Sequence, residues 1–391
     1  MCDVRIKPSM LSWARRRSGR GDAYIKKNFP ELESWERGEA LPSLGDLEEF
    51  AKATYTPIGY LFLDEPPEDR LPVSDFRTVG GTGVAAPSAD LLDTIYMCQQ
   101  RQAWYMEEAR ATGEGPLGFV GSMSTADDVV SSAGRIRTAL KFSVEQRKRM
   151  SGKDAARRQL VRDVETLGIL VMVSGVVGNN THRRLDVDEF RGFALADPWA
   201  PLVFVNGSDY ESAKIFTLAH EVAHIWLGRS AVSNNSVADE PDHAVERWCN
   251  AVAAEVLVPS ETIREEYDRT ADLDREVDRL VRRFKVSRQV ILRRIYDTGG
   301  LDRTAFQEVY DKEVARAAER EKEKKKKIKD TGKGGGNYYN NILARASRKF
   351  TLALLASTME GRTTPVTSRR LLDVWKASNI EELSHKLGVG R

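Results

Sequence analysis

The chain has 391 residues, with 60 Lys and Arg against 58 Asp and Glu, so its net charge of +2 excludes a globally basic protein that binds nucleic acid or membranes by charge alone. Three scattered cysteines (Cys2, Cys98 and Cys249) offer no disulfide framework, no apolar stretch could cross a bilayer, and a signal-peptide pattern is absent, which predicts a cytoplasmic protein without membrane contact. A hydrophobic content of 41% is sufficient for the cores of two or three domains.

Residues 1–78 are predicted to form a small helical domain. Trp35, Glu36, Gly38 and Pro42 follow the pattern W-E-x-G-x-x-x-P, which resembles the second half of a phage-repressor-type (Xre-like) helix-turn-helix domain. Such a domain places one helix in the major groove, so DNA is a candidate partner. Pro30 falls inside the segment expected to form that helix, which weakens the prediction of DNA binding.

Residues 88–312 are predicted to form an α+β domain that is mostly helical and contains a small sheet. Residues 90–165 have a helical pattern. Residues 190–195 and 202–206 read as two short strands joined by a turn at 197–201. An edge strand here would align an extended peptide by main-chain pairing, whereas the simpler alternative is that both strands are ordinary sheet core.

A helix is predicted over about 209–227, directly after these strands. Ser208 and Glu211 have the spacing of a capping box at its start, and Gly228 follows its last apolar residue. The segment is apolar nearly all round, which indicates a helix buried inside the domain.

This helix contains the pattern HExxH. His220 and His224 are one turn apart on one face and can direct nitrogens at a single Zn(II), whereas Glu221 points about 100° away and suits a general base. Two buried imidazoles and a carboxylate would be costly without a partner, so a cation is favoured over a purely structural pair of core histidines.

A third protein ligand must come from elsewhere, because a catalytic zinc keeps three protein ligands and one open position. Residues 242–259, DHAVERWCNAVAAEVLVP, form a second predicted helix in which His243, Glu246 and Asn250 lie on or near one face. The residues alone leave His243 and Glu246 almost equal as ligands. Cys249 is more typical of a small buried hydrophobe.

The pairing of LAHEVAHIWLG with VERWCNAVAAEVLVP closely resembles the ImmA/IrrE family of bacterial and phage metallopeptidases. Three other segments agree with that family: GYLFLDEPPEDRLPVSDFRT, GFALADPWAPLVFVN and LVRRFKVSRQVILRRI. The resemblance implies a zincin-like core with one Zn(II) per chain, held by His220, His224 and Glu246, with Glu221 as the base. Asn250, His243 and Tyr210 are candidates for supporting a ligand or donating to the transition state.

The remaining segments carry less chemistry. Residues 277–296 have a second helix-turn-helix-like spacing, which we assign to the peptidase domain as a structural element, with DNA contact as the less favoured alternative. Residues 313–337 are predicted to be a charged and glycine-rich linker. Residues 338–391 are predicted to be a C-terminal helical module, beginning with an amphipathic helix over 338–360, that docks onto its own core or onto a partner.

Together these features predict a zinc-dependent endopeptidase. The resemblance implies that its substrate is a regulatory protein, typically a helix-turn-helix repressor or antitoxin partner. The alternative is a DNA-binding, antitoxin-like transcriptional regulator with an inactive peptidase domain.

Overall fold

The computed structural model describes residues 4–67, 71–75, 87–233, 244–331 and 337–389, without the side chains of residues 318 and 320–331. The fold is α+β and mostly helical, as predicted. None of the described helices is both long and apolar enough to cross a membrane. In chain order the elements are α1 (Pro8–Arg17), α2 (Asp22–Asn28), α3 (Leu32–Arg37), α4 (Leu44–Thr54), a 3₁₀ helix (Ile58–Phe62), β1 (Ser74–Asp75), α5 (Ala89–Ala111), α6 (Val129–Leu140), α7 (Val144–Lys148), α8 (Lys153–Thr166), β2 (Leu170–Ser174), β3 (Gly192–Leu195), β4 (Leu202–Asn206), α9 (Glu211–Leu227), β5 (Ala231–Ser233), α10 (Ala244–Leu257), α11 (Ser260–Glu266), α12 (Leu273–Phe284), α13 (Arg288–Asp297), α14 (Arg303–Thr331), α15 (Tyr338–Ala346), α16 (Arg348–Met359), α17 (Pro365–Leu372) and α18 (Ala377–Leu387).

The described residues form two compact units, one made of 4–67, 71–72 and 87–96 and the other of the rest. The first unit packs α1 to α4 and the 3₁₀ helix around a small apolar core that includes Met10, Leu11 and Phe50. Pro30 lies in the turn between α2 and α3 rather than inside a helix, contrary to the prediction. This is the place a proline tolerates, since it cannot donate a helical hydrogen bond. Helix α3 has six residues.

The second unit contains a five-stranded mixed sheet of order β1-β5-β3-β4-β2. β3 is antiparallel to both β4 and β5, while β2 is parallel to β4 and β1 is parallel to β5. β3 and β4 are both interior strands, so neither offers the free edge that peptide alignment would need. The edge-strand interpretation of residues 190–206 is therefore wrong, and the two strands are sheet core.

Both faces of the sheet are buried at β3 and β4, which explains why these two strands are almost entirely apolar rather than alternating. Val203 and Val205 of β4 belong to the apolar cluster shared with α9 and α10. The alternate residue Phe204 stacks on Phe193 of β3, with ring centroids 4.9 Å apart. Helix α9 contacts β3, β4, α8 and α10, so the HExxH segment lies between the sheet and a second helix.

Helix α9 starts at Glu211, two residues later than predicted, with Tyr210 as its N-cap residue. The predicted capping box is not formed, because the Ser208 hydroxyl donates to the carbonyl oxygen of Gly175 at 3.1 Å. The predicted end is confirmed: Gly228 has φ +66° and occupies the left-handed region that glycine tolerates. An added Cβ at Gly228 would lie 2.9 Å from Gly121 Cα, so the chain also passes too closely there for a side chain.

Residues 313–331, predicted as part of a linker, continue helix α14. A run of Ala, Glu and Lys has high helix propensity even without an apolar face, and its composition alone does not distinguish an exposed helix from a tether. Residues 332–336, which hold the glycine run, lie outside the described residues.

The predicted helix over 338–360 is broken into α15 and α16 at Ser347, which is fully buried and has φ +67°. The Ser347 hydroxyl donates to Glu165 Oε1 at 2.5 Å and accepts from the backbone N–H of Phe350, so it caps α16 while tying it to α8. Helices α15 and α16 contact β2, an edge strand of the sheet. These C-terminal helices thus dock on their own core.

Arg101 of α5 joins the core to these C-terminal helices. Arg101 is 2% exposed, and its guanidinium donates to the carbonyl oxygens of Leu371 at 2.9 Å and Arg345 at 3.0 Å. Replacing Arg101 with Leu should lower the free energy of unfolding by about 2–4 kcal/mol, because two buried carbonyls would lose their donors. Urea denaturation measures this. Arg370→Leu, at an exposed position of α17, is the control and should change stability by less than about 0.5 kcal/mol. An equal effect of both variants would contradict the assigned role of Arg101.

Candidate metal centre

Helices α9 and α10 bring together three side chains that the sequence nominated as ligands. His220 Nε2 lies 3.1 Å from His224 Nε2, Glu246 Oε2 lies 3.1 Å from His220 Nε2, and Glu246 Oε1 lies 2.9 Å from His224 Nε2. Within the described part of the chain, these three residues form a group whose donor atoms could all reach one metal ion. The imidazoles come from successive turns of α9, and the carboxylate comes from the first turn of α10.

These distances fit a zinc ion. Ligand atoms about 2.0–2.1 Å from a tetrahedral zinc are about 3.3 Å from one another, close to the observed separations of 2.9–3.1 Å. His220, His224 and Glu246 are 3%, 0% and 1% exposed, so water does not solvate them freely. A cation between them would satisfy two nitrogen lone pairs and a carboxylate that converge on one point.

The same three groups perturb one another's ionisation. Burial opposes the charge on Glu246, but the neighbouring His220 and hydrogen bonds to both imidazoles hold the pKa of Glu246 well below its ordinary value. Burial likewise opposes protonation of His220, yet the negative charge of Glu246 raises the pKa of that imidazole overall. The centre therefore carries an ionised carboxylate facing two nitrogens, which is the charge pattern a divalent cation needs.

Glu221 lies beside this triangle on α9 and is fully buried. Neither of its carboxylate oxygens makes a hydrogen bond of normal geometry with the described residues. Burial raises its pKa from 4.5 to about 8, and the nearby charge of Glu246 adds to the increase. His220 and the hydroxyl of Ser233, which approaches the Glu221 carboxylate, offset part of this increase. A buried carboxylate with a raised pKa has the chemical character of a proton acceptor working near neutral pH.

The other candidate residues of the predicted second helix differ in their relation to the metal centre. Asn250 lies one turn after Glu246, and its buried amide approaches the His220 imidazole and contributes to the raised pKa of His220. Burial, and then the carboxylates of Glu246 and Glu221, raise the pKa of the Cys249 thiol well above its ordinary value, so Cys249 stays protonated and is a poor ligand. His243 lies outside the described residues.

Tyr210 is not placed to act on the metal-bound substrate. It is the N-cap residue of α9, and ten residues of helix separate it from His220, a distance of about 15 Å. Its hydroxyl donates to the carbonyl oxygen of Ala317 in α14 at 3.1 Å. Tyr210 is therefore too far from the centre to donate a hydrogen bond to the transition state, contrary to the prediction.

Two residues at the centre were not predicted from the sequence. The Ser233 hydroxyl, at the end of β5, lies 3.3 Å from His220 Nε2. Gly192 of β3 pairs with Ser233 in the sheet, and a Cβ added to Gly192 would lie 2.9 Å from Glu221 Oε1. A glycine inside a strand is a weak sign of such a close approach, but no local pattern distinguishes Ser233 from any other serine.

The raised pKa of Glu221 predicts a pH dependence for the metal-free protein. An acid whose pKa is 4.5 when unfolded and about 8 when folded destabilises the folded state progressively as pH rises through that interval. Glu221→Gln removes the ionisation. Metal-free Glu221→Gln should match the wild type near pH 4.5 and become more stable by up to about 5 kcal/mol above pH 8. Thermal unfolding of chelator-treated protein across this pH range measures the difference, and parallel pH profiles would contradict the assigned environment.

The fold and the centre thus describe a helical α+β domain with a buried His-His-Glu group suited to a divalent metal and a second buried carboxylate, that of Glu221, beside it. Residues 164–296 match the family model for the IrrE N-terminal-like domain, Peptidase_M78. The matched segment contains the sheet strands β2 to β5, both helices of the centre, and the α12–α13 pair. The match supports a metallopeptidase. No curated protein matches the chain.

Proposed function

We propose that this protein is a cytoplasmic zinc-dependent endopeptidase that cleaves a regulatory protein. The observation that carries the proposal is the triangle of His220 Nε2, His224 Nε2 and a Glu246 carboxylate oxygen, with donor separations of 2.9–3.1 Å, beside the buried Glu221. Two imidazoles and one carboxylate are a ligand set of catalytic zinc sites, which keep a fourth position for water or substrate.

In this proposal His220, His224 and Glu246 hold one Zn(II) per chain. When bound, zinc lowers the pKa of a water molecule to about 7 and polarises a carbonyl group. Glu221 would accept a proton from the attacking water as the water oxygen bonds to the scissile carbonyl carbon, and would deliver that proton to the amine nitrogen as the carbon–nitrogen bond breaks. The raised pKa of Glu221 suits both transfers, because the carboxyl group can gain and lose a proton near neutral pH.

The family match and the architecture both support the proposed substrate class. The peptidase segment is preceded by a separate small helical unit, and such a unit restricts a protease to chosen partners. We propose that the partner is a helix-turn-helix repressor or an antitoxin-like protein, cleaved when a signal requires it.

DNA is a further proposed partner, through residues 1–78. Several basic side chains of this unit already face acids: Arg15 pairs with Glu36 at 3.1 Å and Lys26 pairs with Glu33 at 2.8 Å. Such pairing reduces the positive charge offered to phosphates, so binding should be weak and sensitive to salt. A gel-shift series at 50 and 200 mM salt tests this point separately from proteolysis.

The proteolysis test uses purified, zinc-loaded protein mixed with regulators encoded beside it. We expect one regulator to be cut, cleavage to stop when a chelator removes the metal, and cleavage to return when zinc is restored. Mass spectrometry of the fragments locates the cut bond. Full zinc occupancy without cleavage of any such regulator would contradict the proposed substrate class, and protein that binds no divalent metal would contradict the proposed function itself.

A further inference from the structure

Ser233 has a buried hydroxyl group at the metal-facing side of the centre. The residue is 3% exposed and its hydroxyl oxygen lies 3.3 Å from His220 Nε2. That nitrogen also faces His224 Nε2 at 3.1 Å, so it is the nitrogen directed at the metal position. The Ser233 hydroxyl therefore borders the coordination space rather than the outer side of the imidazole.

The strand that carries Ser233 holds it there rigidly. β5 is paired to β3 with Ser233 opposite Gly192, and the backbone N–H of Arg191 donates to the Ser233 carbonyl oxygen at 3.0 Å. Directly opposed residues of an antiparallel pair point their side chains to the same face, with Cβ positions about 4.5–5.5 Å apart. Since the Cβ position of Gly192 is 2.9 Å from Glu221 Oε1, Ser233 and the Glu221 carboxylate share one face of the sheet.

A bound metal would change the hydrogen-bond partner of the Ser233 hydroxyl. An imidazole nitrogen has one lone pair, and a metal ion bound at His220 Nε2 would occupy it. The Ser233 hydroxyl can then no longer donate to that nitrogen, and the nitrogen has no hydrogen to give. The freed hydrogen then has two acceptors within reach on the shared face: the Glu221 carboxylate, which the Ser233 hydroxyl approaches, and the oxygen that a reacting peptide would place beside the metal.

We infer that Ser233 is a catalytic hydrogen-bond donor, which stabilises the scissile carbonyl oxygen as that oxygen gains negative charge. This assignment rests on the proposed function and supplies the donor for which Tyr210 is too distant. A fixed donor aimed at developing charge acts in the transition state more than in the bound substrate. Loss of Ser233 should therefore lower kcat and leave KM almost unchanged.

The first test avoids the unknown substrate and uses acetohydroxamate, whose oxygens bind the open position of a zinc-type site. The protein is loaded with Co(II), and the change in its visible absorption is titrated with acetohydroxamate. Ser233→Ala should weaken acetohydroxamate binding about tenfold or more, the effect of losing one hydrogen bond to a charged group. Ser233→Thr, which keeps the hydroxyl, should remain within about threefold of the wild type on the same scale.

Ser174→Ala is the matched control, because it removes another largely buried serine hydroxyl from the distant edge strand β2. It should bind acetohydroxamate and Co(II) like the wild type. With the regulator identified as substrate, Ser233→Ala should lower kcat about 10- to 100-fold.

The outcomes separate this inference from the proposed function. Wild-type protein that fails to bind Co(II) overturns both. Wild-type protein that binds Co(II) and acetohydroxamate while Ser233→Ala binds acetohydroxamate equally well overturns the role of Ser233 alone. Loss of Co(II) from Ser233→Ala would also overturn it, because Ser233 would then retain the metal rather than contact the substrate.

Discussion

Replacing Glu221 with Gln is expected to lower kcat for regulator cleavage by about 10²- to 10⁴-fold while one zinc per chain stays bound. Gln has nearly the same shape as Glu but cannot take a proton from the attacking water. The ligands His220, His224 and Glu246 are untouched by the change, so metal content should not fall. Single-turnover cleavage and elemental analysis of the same preparation measure the two quantities together.

Glu261→Gln is the control for this variant, because it makes the same substitution at an exposed position of α11. Its cleavage rate should equal that of the wild type. If Glu221→Gln cleaves within about threefold of the wild-type rate, which is roughly 0.7 kcal/mol, Glu221 is not the general base.

Replacing Glu246 with Ala should remove the metal. Glu246 supplies the carboxylate of the donor triangle, and without it the two imidazole nitrogens converge on the ion alone. Loss of a supporting neighbour of a ligand costs about 10- to 100-fold in metal affinity, so loss of the ligand itself should cost more than about 100-fold. Competition with a zinc chelator measures the affinity, and regulator cleavage should fall with zinc occupancy.

Stability should change in parallel, since a metal present at 100 times its dissociation constant stabilises the folded state by about 2.7 kcal/mol. Glu255→Gln is the matched control, because Glu255 is buried in the same helix α10 but caps α11 through the Ser260 N–H at 3.0 Å and pairs with Arg294. It should lower stability and keep its zinc. A Glu246→Ala protein that binds zinc as tightly as the wild type would contradict the assigned ligand set.

The two histidines and Glu221 could be nominated from the sequence because their relation is local. Helical geometry alone places residues i and i+4 on one face, and Gly228 marks where that helix ends. The choice between His243 and Glu246 as the third ligand could not be made from spacing, because the two residues are three positions apart on the same predicted helix. It required the resemblance, and the structure then places Glu246 against both imidazoles.

Ser233 and Gly192 could not be nominated because their roles depend on strand register. The pairing of β3 with β5 brings Gly192 opposite Ser233, and no short sequence pattern encodes which residues meet across a sheet. The same limitation explains why the sequence does not decide whether the strands at residues 190–206 lie at an edge of the sheet or in its core. The two strands are evident from composition, but their neighbours β2 and β5 come from distant parts of the chain.

The position of a helix break can also depend on a tertiary contact. The apolar pattern of residues 338–360 continues through Ser347 without interruption, so it predicts one helix. The break at Ser347 arises because its hydroxyl is bonded to Glu165, a residue of α8 that is remote in the sequence. Local propensity cannot anticipate such a bond.

X-ray absorption at the zinc edge of the purified protein reports which atoms surround the metal. We expect one zinc per chain with two imidazole nitrogens and light oxygen or nitrogen neighbours at about 2.0–2.2 Å, and loss of that signal in His220→Ala. A coordination shell containing sulfur, or a shell unchanged in His220→Ala, would contradict it.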